Sequence, residues 1–133
     1  MKITTQSQYS LLVLLYLARS KEDSYIPLSK IAQKQKLSLK YLEHLMQPMC
    51  RAGILASAKG QKGGYKLAHK PEKISIAEII RLFDGPLAPV ESVSVYFYKP
   101  TVIEREKKLS HLMRGIRNHI AFKLEKTTLK DLA

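Results

Sequence analysis

The sequence predicts a mainly α fold with one small β-hairpin, and three observations predict it. Two short stretches of helical periodicity, residues 29 to 35 and 39 to 52, are separated only by a turn at Lys36 to Ser38. Two short apolar segments come next, Ile54 to Ala58 and Tyr65 to Ala68, joined by the basic loop Lys59-Gly60-Gln61-Lys62-Gly63-Gly64. A long amphipathic stripe then occupies residues 101 to 123. Helix, tight turn, helix and hairpin in that order is the grammar of a winged helix-turn-helix, here followed by a long C-terminal dimerisation helix.

The elements follow in order. Tyr9, Leu12, Val13, Tyr16 and Leu17 recur at helical spacing, and Leu11, Leu14 and Leu15 widen the stripe. Residues 6 to 20 are therefore expected to form a largely buried first helix. Lys21 to Tyr25 reads as a polar connector. Pro27 precedes the next helix, in which Ser29 to Gln35 turns Ile31 and Ala32 to the core. Ser38 reads as the N-cap of the following helix, with Leu39, Leu42, Leu45, Met46 and Met49 facing inward. Pro48 lies inside that helix, where it removes one hydrogen bond and crowds the carbonyl of His44, so a kink or break is expected near residue 47. Gly53 is free to take the left-handed conformation that closes the helix. Beyond the hairpin, Pro71 breaks the chain, Ser75 caps a helix carrying Ile76, Ile79, Ile80 and Phe83, and Gly85-Pro86 ends it.

Residues 86 to 100 read as irregular, with Tyr96, Phe97 and Tyr98 near their end. From Thr101 to Lys123 the pattern is helical again, with Val102, Leu109, Leu112, Met113, Ile116 and Ile120 on one face. Such a stripe needs a partner. It could fold back onto its own domain, but pairing with the same helix of a second subunit would bury it more completely, so a homodimer is expected. The organisation is a winged helix-turn-helix domain over 1–85, a connecting loop over 86–100, and a dimerisation helix with a C-terminal segment over 101–133.

A chain of 133 residues suits one domain. Its net charge of +12 is uneven: residues 1 to 70 carry 12 Lys/Arg against 3 Asp/Glu, and residues 71 to 133 carry 11 against 8. A positive field in the first half accelerates association with polyanions, although a basic membrane-surface protein or merely a soluble one could carry the same charge. The single cysteine, Cys50, allows no internal disulfide and fits a reducing cytosol. The apolar run Leu11 to Ala18 is too short to span a bilayer and follows the hydroxyl-rich segment Thr4 to Ser10 rather than a charged leader. No membrane is expected, and the chain reads as cytoplasmic.

The second helix of a helix-turn-helix pair lies in the DNA major groove with its N-terminal residues at base edges. Here Ser38, Lys40, Tyr41, Glu43 and His44 are expected to project outward. Lys40 suits a phosphate or a guanine edge, Tyr41 a phosphate, and Glu43 a cytosine amino group. Glu43 is the sole acid between Asp23 and Glu72, a stretch with nine Lys/Arg. Its alternative role is a solvated partner of Lys40 or Gln47, and Tyr41 could equally be half-buried scaffold. Lys30, Lys34 and Lys36 suit phosphates. Lys59 and Lys62, with Gly60, Gly63 and Gly64 allowing a tight hairpin, suit a wing against the backbone or minor groove. His111 and His119 are eight residues apart on one helix, too far for one metal, and read as surface or interface residues. Cys50 reads as a buried structural thiol. No paired carboxylates, nucleophile with a nearby base, or phosphate-loop pattern points to an enzyme.

Several motifs occur together: Met1-Lys2-Ile3-Thr4 leading to Tyr9, Ile31-Ala32, Leu37-Ser38-Leu39-Lys40-Tyr41-Leu42-Glu43, Ala52-Gly53-Ile54-Leu55, Gly63-Gly64-Tyr65-Lys66-Leu67, Gly85-Pro86-Leu87-Ala88-Pro89-Val90-Glu91 and Thr128-Leu129-Lys130-Asp131-Leu132. In this order they resemble the Rrf2 family of bacterial transcription regulators. The resemblance implies a dimeric regulator, a dimerisation helix near residues 101 to 123, and a wing that reaches the minor groove. Many relatives also carry three cysteines between the fourth helix and the dimerisation helix, which ligate an iron–sulfur cluster whose state changes DNA binding. Here Ser92 stands where the first is expected, and no cysteine occurs from 51 to 133. A serine hydroxyl is a far poorer donor than a thiolate, so neither a cluster nor another metal cofactor is expected. Lys59 stands where relatives often have arginine, which weakens insertion into a narrow minor groove.

The expectation is a homodimeric, sequence-specific regulator of double-stranded DNA, a repressor occluding a promoter at a pseudo-palindrome, with a small-molecule or protein effector acting near residues 86 to 100. The alternative is a winged-helix protein-interaction module in which residues 96 to 98 and the long helix dock a protein and the basic face is incidental.

Overall fold

The structure, a computed structural model, describes residues 1–21 and 23–133. The expected connector Lys21 to Tyr25 includes Glu22, which lies outside the described residues. Helix α1 (Thr5–Arg19) buries Val13, Leu14 and Leu17. Helix α2 (Leu28–Gln35) follows Pro27 and buries Leu28, Ile31 and Ala32. It stops at Lys36, a left-handed residue with φ 56°, and the Leu37 amide donates back to the Ala32 carbonyl at 2.9 Å. That turn delivers Ser38, whose hydroxyl accepts from the Tyr41 amide as the cap of α3 (Leu39–Arg51).

Two expectations about α3 are corrected. Leu39 is 41% exposed, because as the first helical residue it stands with Ser38 and Lys40 outside the packed part of the helix. Of the kink or break expected at Pro48, the break does not occur: the helix runs from Leu39 to Arg51. Leu45, Met46 and Met49 are buried on both sides of it, and the Ala52 amide donates to the Pro48 carbonyl at 3.0 Å. Packing on either side thus outweighs the lost hydrogen bond.

Strands β1 (Leu55–Ala58) and β2 (Gly64–Leu67) form an antiparallel hairpin in which Leu55 faces Leu67 and Ala58 faces Gly64. Ile26 pairs with Tyr65 on the other edge of β2 through bonds of 2.8 and 2.9 Å in the two directions. Helix α4 (Ile76–Asp84) begins with a capping box between Ser75 and Glu78 and ends before Gly85, φ 80°. Asp84, its last residue, accepts from the Thr4 amide at 3.0 Å, the Ser7 hydroxyl at 2.7 Å and the Thr4 hydroxyl, which ties α4 to the start of α1.

The long helix is also corrected. Residues Val102–Arg105 form a 3₁₀ turn, and α5 begins at Lys107 and runs to Lys126. Glu106 is extended, and buried Ser110 donates from its hydroxyl to the Ile103 carbonyl at 3.2 Å, locking the turn against the first coil of the helix. Val102 therefore falls off the helix and is 71% exposed. One side of α5 rests on its own domain: Ile120 and Leu124 pack against the core, Arg117 donates to the Val93 carbonyl at 2.8 Å, and Glu125 pairs with Arg81 of α4 at 2.5 Å. The chain then turns back. The Thr127 carbonyl accepts from the Ile76 amide, the Leu129 amide donates to the Ile74 carbonyl, and α6 (Leu129–Leu132) sets Leu129, fully buried, in the same core as Val13, Leu14 and Ile79. No helix among the described residues is long and apolar enough to cross a membrane.

Candidate nucleic-acid interface

The outward side of α3 is exposed at Ser38, Lys40, Glu43 and His44, as the spacing requires once Leu42, Leu45 and Met46 are inside. The same side continues through Gln47 and Arg51, both exposed. These two belong to the stripe, and the break expected at Pro48 hid them; the continued spacing of three to four residues from Lys40 onward was the signal that could have found them. Tyr41 is half-buried, with its ring edge-on to Tyr9 at 5.2 Å and 78°. Its ring serves as scaffold that fixes α3 on α1.

Glu43 is exposed, and its charge reaches the phenol of Tyr65 on β2. Burial first, then negative charge on the Cys50 sulfur and the Glu43 carboxylate, push the Tyr65 phenol above its ordinary value. Cys50 itself is half-buried and packs against the core. On α2 and its turn, Lys34 and Lys36 are exposed and Lys30 is half-buried.

The wing divides into a tip and a hinge. Lys59, Gly60, Gln61 and Lys62 are exposed, and Gly60 has φ 99° with open space where a side chain would be. Gly63 and Gly64 serve the fold instead. A Cβ on Gly63 would lie 2.3 Å from the Ala58 carbonyl oxygen, and one on Gly64, φ 142°, would lie 2.2 Å from that of Ile26. Lys66 is held over the Tyr25 ring at 4.7 Å, so the cations free for a ligand are at the tip.

The connecting segment 86–100 is tied within itself and to the turn that follows it. The Ser92 and Thr101 hydroxyls are 2.6 Å apart, the Tyr98 phenol donates to Glu104 at 2.5 Å, and Lys99 approaches Glu91 at 3.8 Å. The bond to Glu104, reinforced by desolvation and by that carboxylate's charge, raises the Tyr98 phenol above its usual range. Val95, Tyr96, Phe97 and Tyr98 are exposed, and Arg81 stacks over the Tyr96 ring at 4.9 Å. Of the expected dimerisation residues, Leu109, Leu112 and Ile116 are exposed on the outer side of α5, whereas Met113 and Ile120 are half-buried.

Residues 3–133 match the Rrf2 family, described as iron-dependent transcriptional regulators. The chain is 36% identical over 133 residues to the HTH-type transcriptional regulator CymR of Bacillus subtilis, covering all of this chain and 90% of that protein. The solved structure of CymR (YrzC), the global cysteine regulator of B. subtilis, superposes with a TM-score of 0.80 at 37% identity, over 100% of this chain and 96% of that one. The oxidized form of Staphylococcus aureus CymR superposes with a TM-score of 0.71 at 35% identity, over 100% and 96%. The iron in the family's description does not fit the residues present. Ser92, where the first thiolate would be needed, offers a hydroxyl already bonded to that of Thr101, and no group of three His, Cys, Asp or Glu among the described residues is arranged to hold a metal ion. In sequence along its length, in the order of its helices and in its wing, the chain nevertheless belongs to the Rrf2 family of winged helix-turn-helix transcription regulators.

Proposed function

We propose that this regulator is a homodimeric repressor that occupies a pseudo-palindromic operator, entering the major groove with α3 and following the backbone or minor groove with the wing. The observation that carries the reading is the exposure of Lys40, Glu43, His44, Gln47 and Arg51 at helical spacing along α3, together with that of Lys59 and Lys62 at the wing tip. Lys34 and Lys36 flank it for phosphates. Repression follows from occlusion, since a dimer on two half-sites covers about one turn of duplex or more.

The second copy is argued from α5. Leu112 is 55% exposed and Ile116 38% exposed, and Gly115 between them has nothing within 4 Å of the place where a side chain would begin. A glycine inside a helix costs roughly 0.5–1 kcal/mol relative to alanine, and close approach of another backbone accounts for it. An effector would act at residues 86–100, where a cleft of about 250 Å³ is lined by Pro86, Glu91, Tyr96, Phe97, Tyr98 and Lys99. The names of relatives as HTH-type transcriptional regulators favour this reading over the protein-interaction module and support a DNA-binding protein rather than an enzyme, working in the cytoplasm.

The test is selection from a random double-stranded DNA pool, with enriched sites re-measured across a salt series. A two-fold symmetric site whose affinity falls steeply with salt is the expected result. Salt-sensitive binding without any enriched sequence would refute sequence-specific regulation by the chain alone.

A further inference from the structure

The outer side of α5 carries a shallow groove of about 440 Å³ lined by His111, Leu112, Gly115, Ile116, His119 and Ile120. Its two imidazoles stand four residues before and four residues after Gly115. Within one chain they are eight residues, about 12 Å, apart along the helix. One ion held at nitrogen distances of about 2 Å cannot take both. A two-fold axis changes this. When two copies of a helix cross antiparallel, a residue a given number of steps before the crossing lies level with the residue the same number of steps after it in the partner. Gly115 is where the crossing belongs, because the space beside its α-carbon is open and no contact within the chain calls for a glycine there.

Resting on the homodimer reading above, we infer that two copies cross at Gly115 and that each His111 meets His119 of the partner subunit, making two equivalent sites for a divalent transition-metal cation of the Zn²⁺ class. Neutral imidazole is a preferred donor for such cations, and the apolar walls from Leu112, Ile116 and Ile120 exclude competing water. The cleft beside His111 is lined by Glu104, Lys107, Ser110 and Arg114, so one carboxylate is at hand to help offset two cations. These donors are on the dimerisation helix, apart from the serine that replaces a cluster cysteine in the connecting segment. A cation bound at the seam would strengthen the dimer and, through it, the hold on a two-half-site operator.

The experiment uses the untagged full chain, freed of metal with a chelator, then titrated with Zn²⁺ alone while bound metal and dimer dissociation are measured. One zinc per chain and a dimer tightened by about tenfold or more are expected. His111→Ala and His119→Ala, and the more conservative His119→Gln, should each stay dimeric and lose both effects. Subunit exchange between His111→Ala and His119→Ala restores one intact pair in every mixed dimer, so about a quarter of the parent's zinc should return. A metal-free dimer that binds no zinc, zinc retained by either single variant, or no recovery on mixing would each overturn the site. A chain that stays monomeric with and without zinc would instead remove the dimer reading, and the site with it.

Discussion

Asp84 ends α4, where a carboxylate opposes the dipole of its own helix, yet it stands at the start of α1, where a negative charge is favoured. Burial works to raise its pKa, but the hydrogen bonds from the Thr4 hydroxyl and amide and from Ser7 outweigh it and hold the carboxyl below its ordinary value. A depressed folded value means stability that is present above the ordinary carboxylate range and lost as pH falls through the folded value. Asp84→Asn should therefore lower the melting temperature at neutral pH, and the gap between variant and parent should close in acid; an equal gap at every pH would assign the loss to shape rather than charge. Gly64 makes a different demand. Gly64→Ala meets the Ile26 carbonyl and should cost about 2 kcal/mol or more in a denaturant melt. Single-residue caps such as Ser38 and Ser75 were legible from the sequence because they act over three residues. The Asp84 clamp was not, since its partners are 77 and 80 residues away.

At the scale of elements, periodicity gave away every principal helix because each has one apolar side, buried in α1 to α4 and largely exposed in α5. The ends were less legible. The start of α5 depends on Ser110 reaching back to Ile103, and the continuity of α3 depends on core packing around Pro48. Neither contact leaves a pattern in local hydrophobicity. The unbroken α3 also extends the candidate interface by a turn. Arg51→Ala should weaken operator binding about fivefold to tenfold with an unchanged melting temperature. Affinity equal to the parent's in a fluorescence-anisotropy titration would confine recognition to the residues before Pro48.

Across the whole molecule, the charge imbalance and the wing act together. Replacing Lys59 and Lys62 by alanine should weaken binding to specific and random duplexes alike and flatten the slope of log affinity against log salt by roughly two; an unchanged slope would take the wing off the DNA. The helix-turn-helix and hairpin of the first half were readable from periodicity, turn residues and glycines. The return of the final helix to the core was not, because Leu129 follows a polar stretch and only the completed core shows what it fills. Leu129→Ala should cost about 2–5 kcal/mol in a urea melt, as for a fully enclosed leucine, although the residue is far from the wing and recognition helix in sequence. During synthesis on the ribosome, the recognition unit emerges long before that leucine does. The nascent polypeptide must wait with an unfilled core, so DNA-binding competence arrives late in translation, and a message truncated shortly before codon 129 would yield a product for proteolysis rather than a shortened regulator.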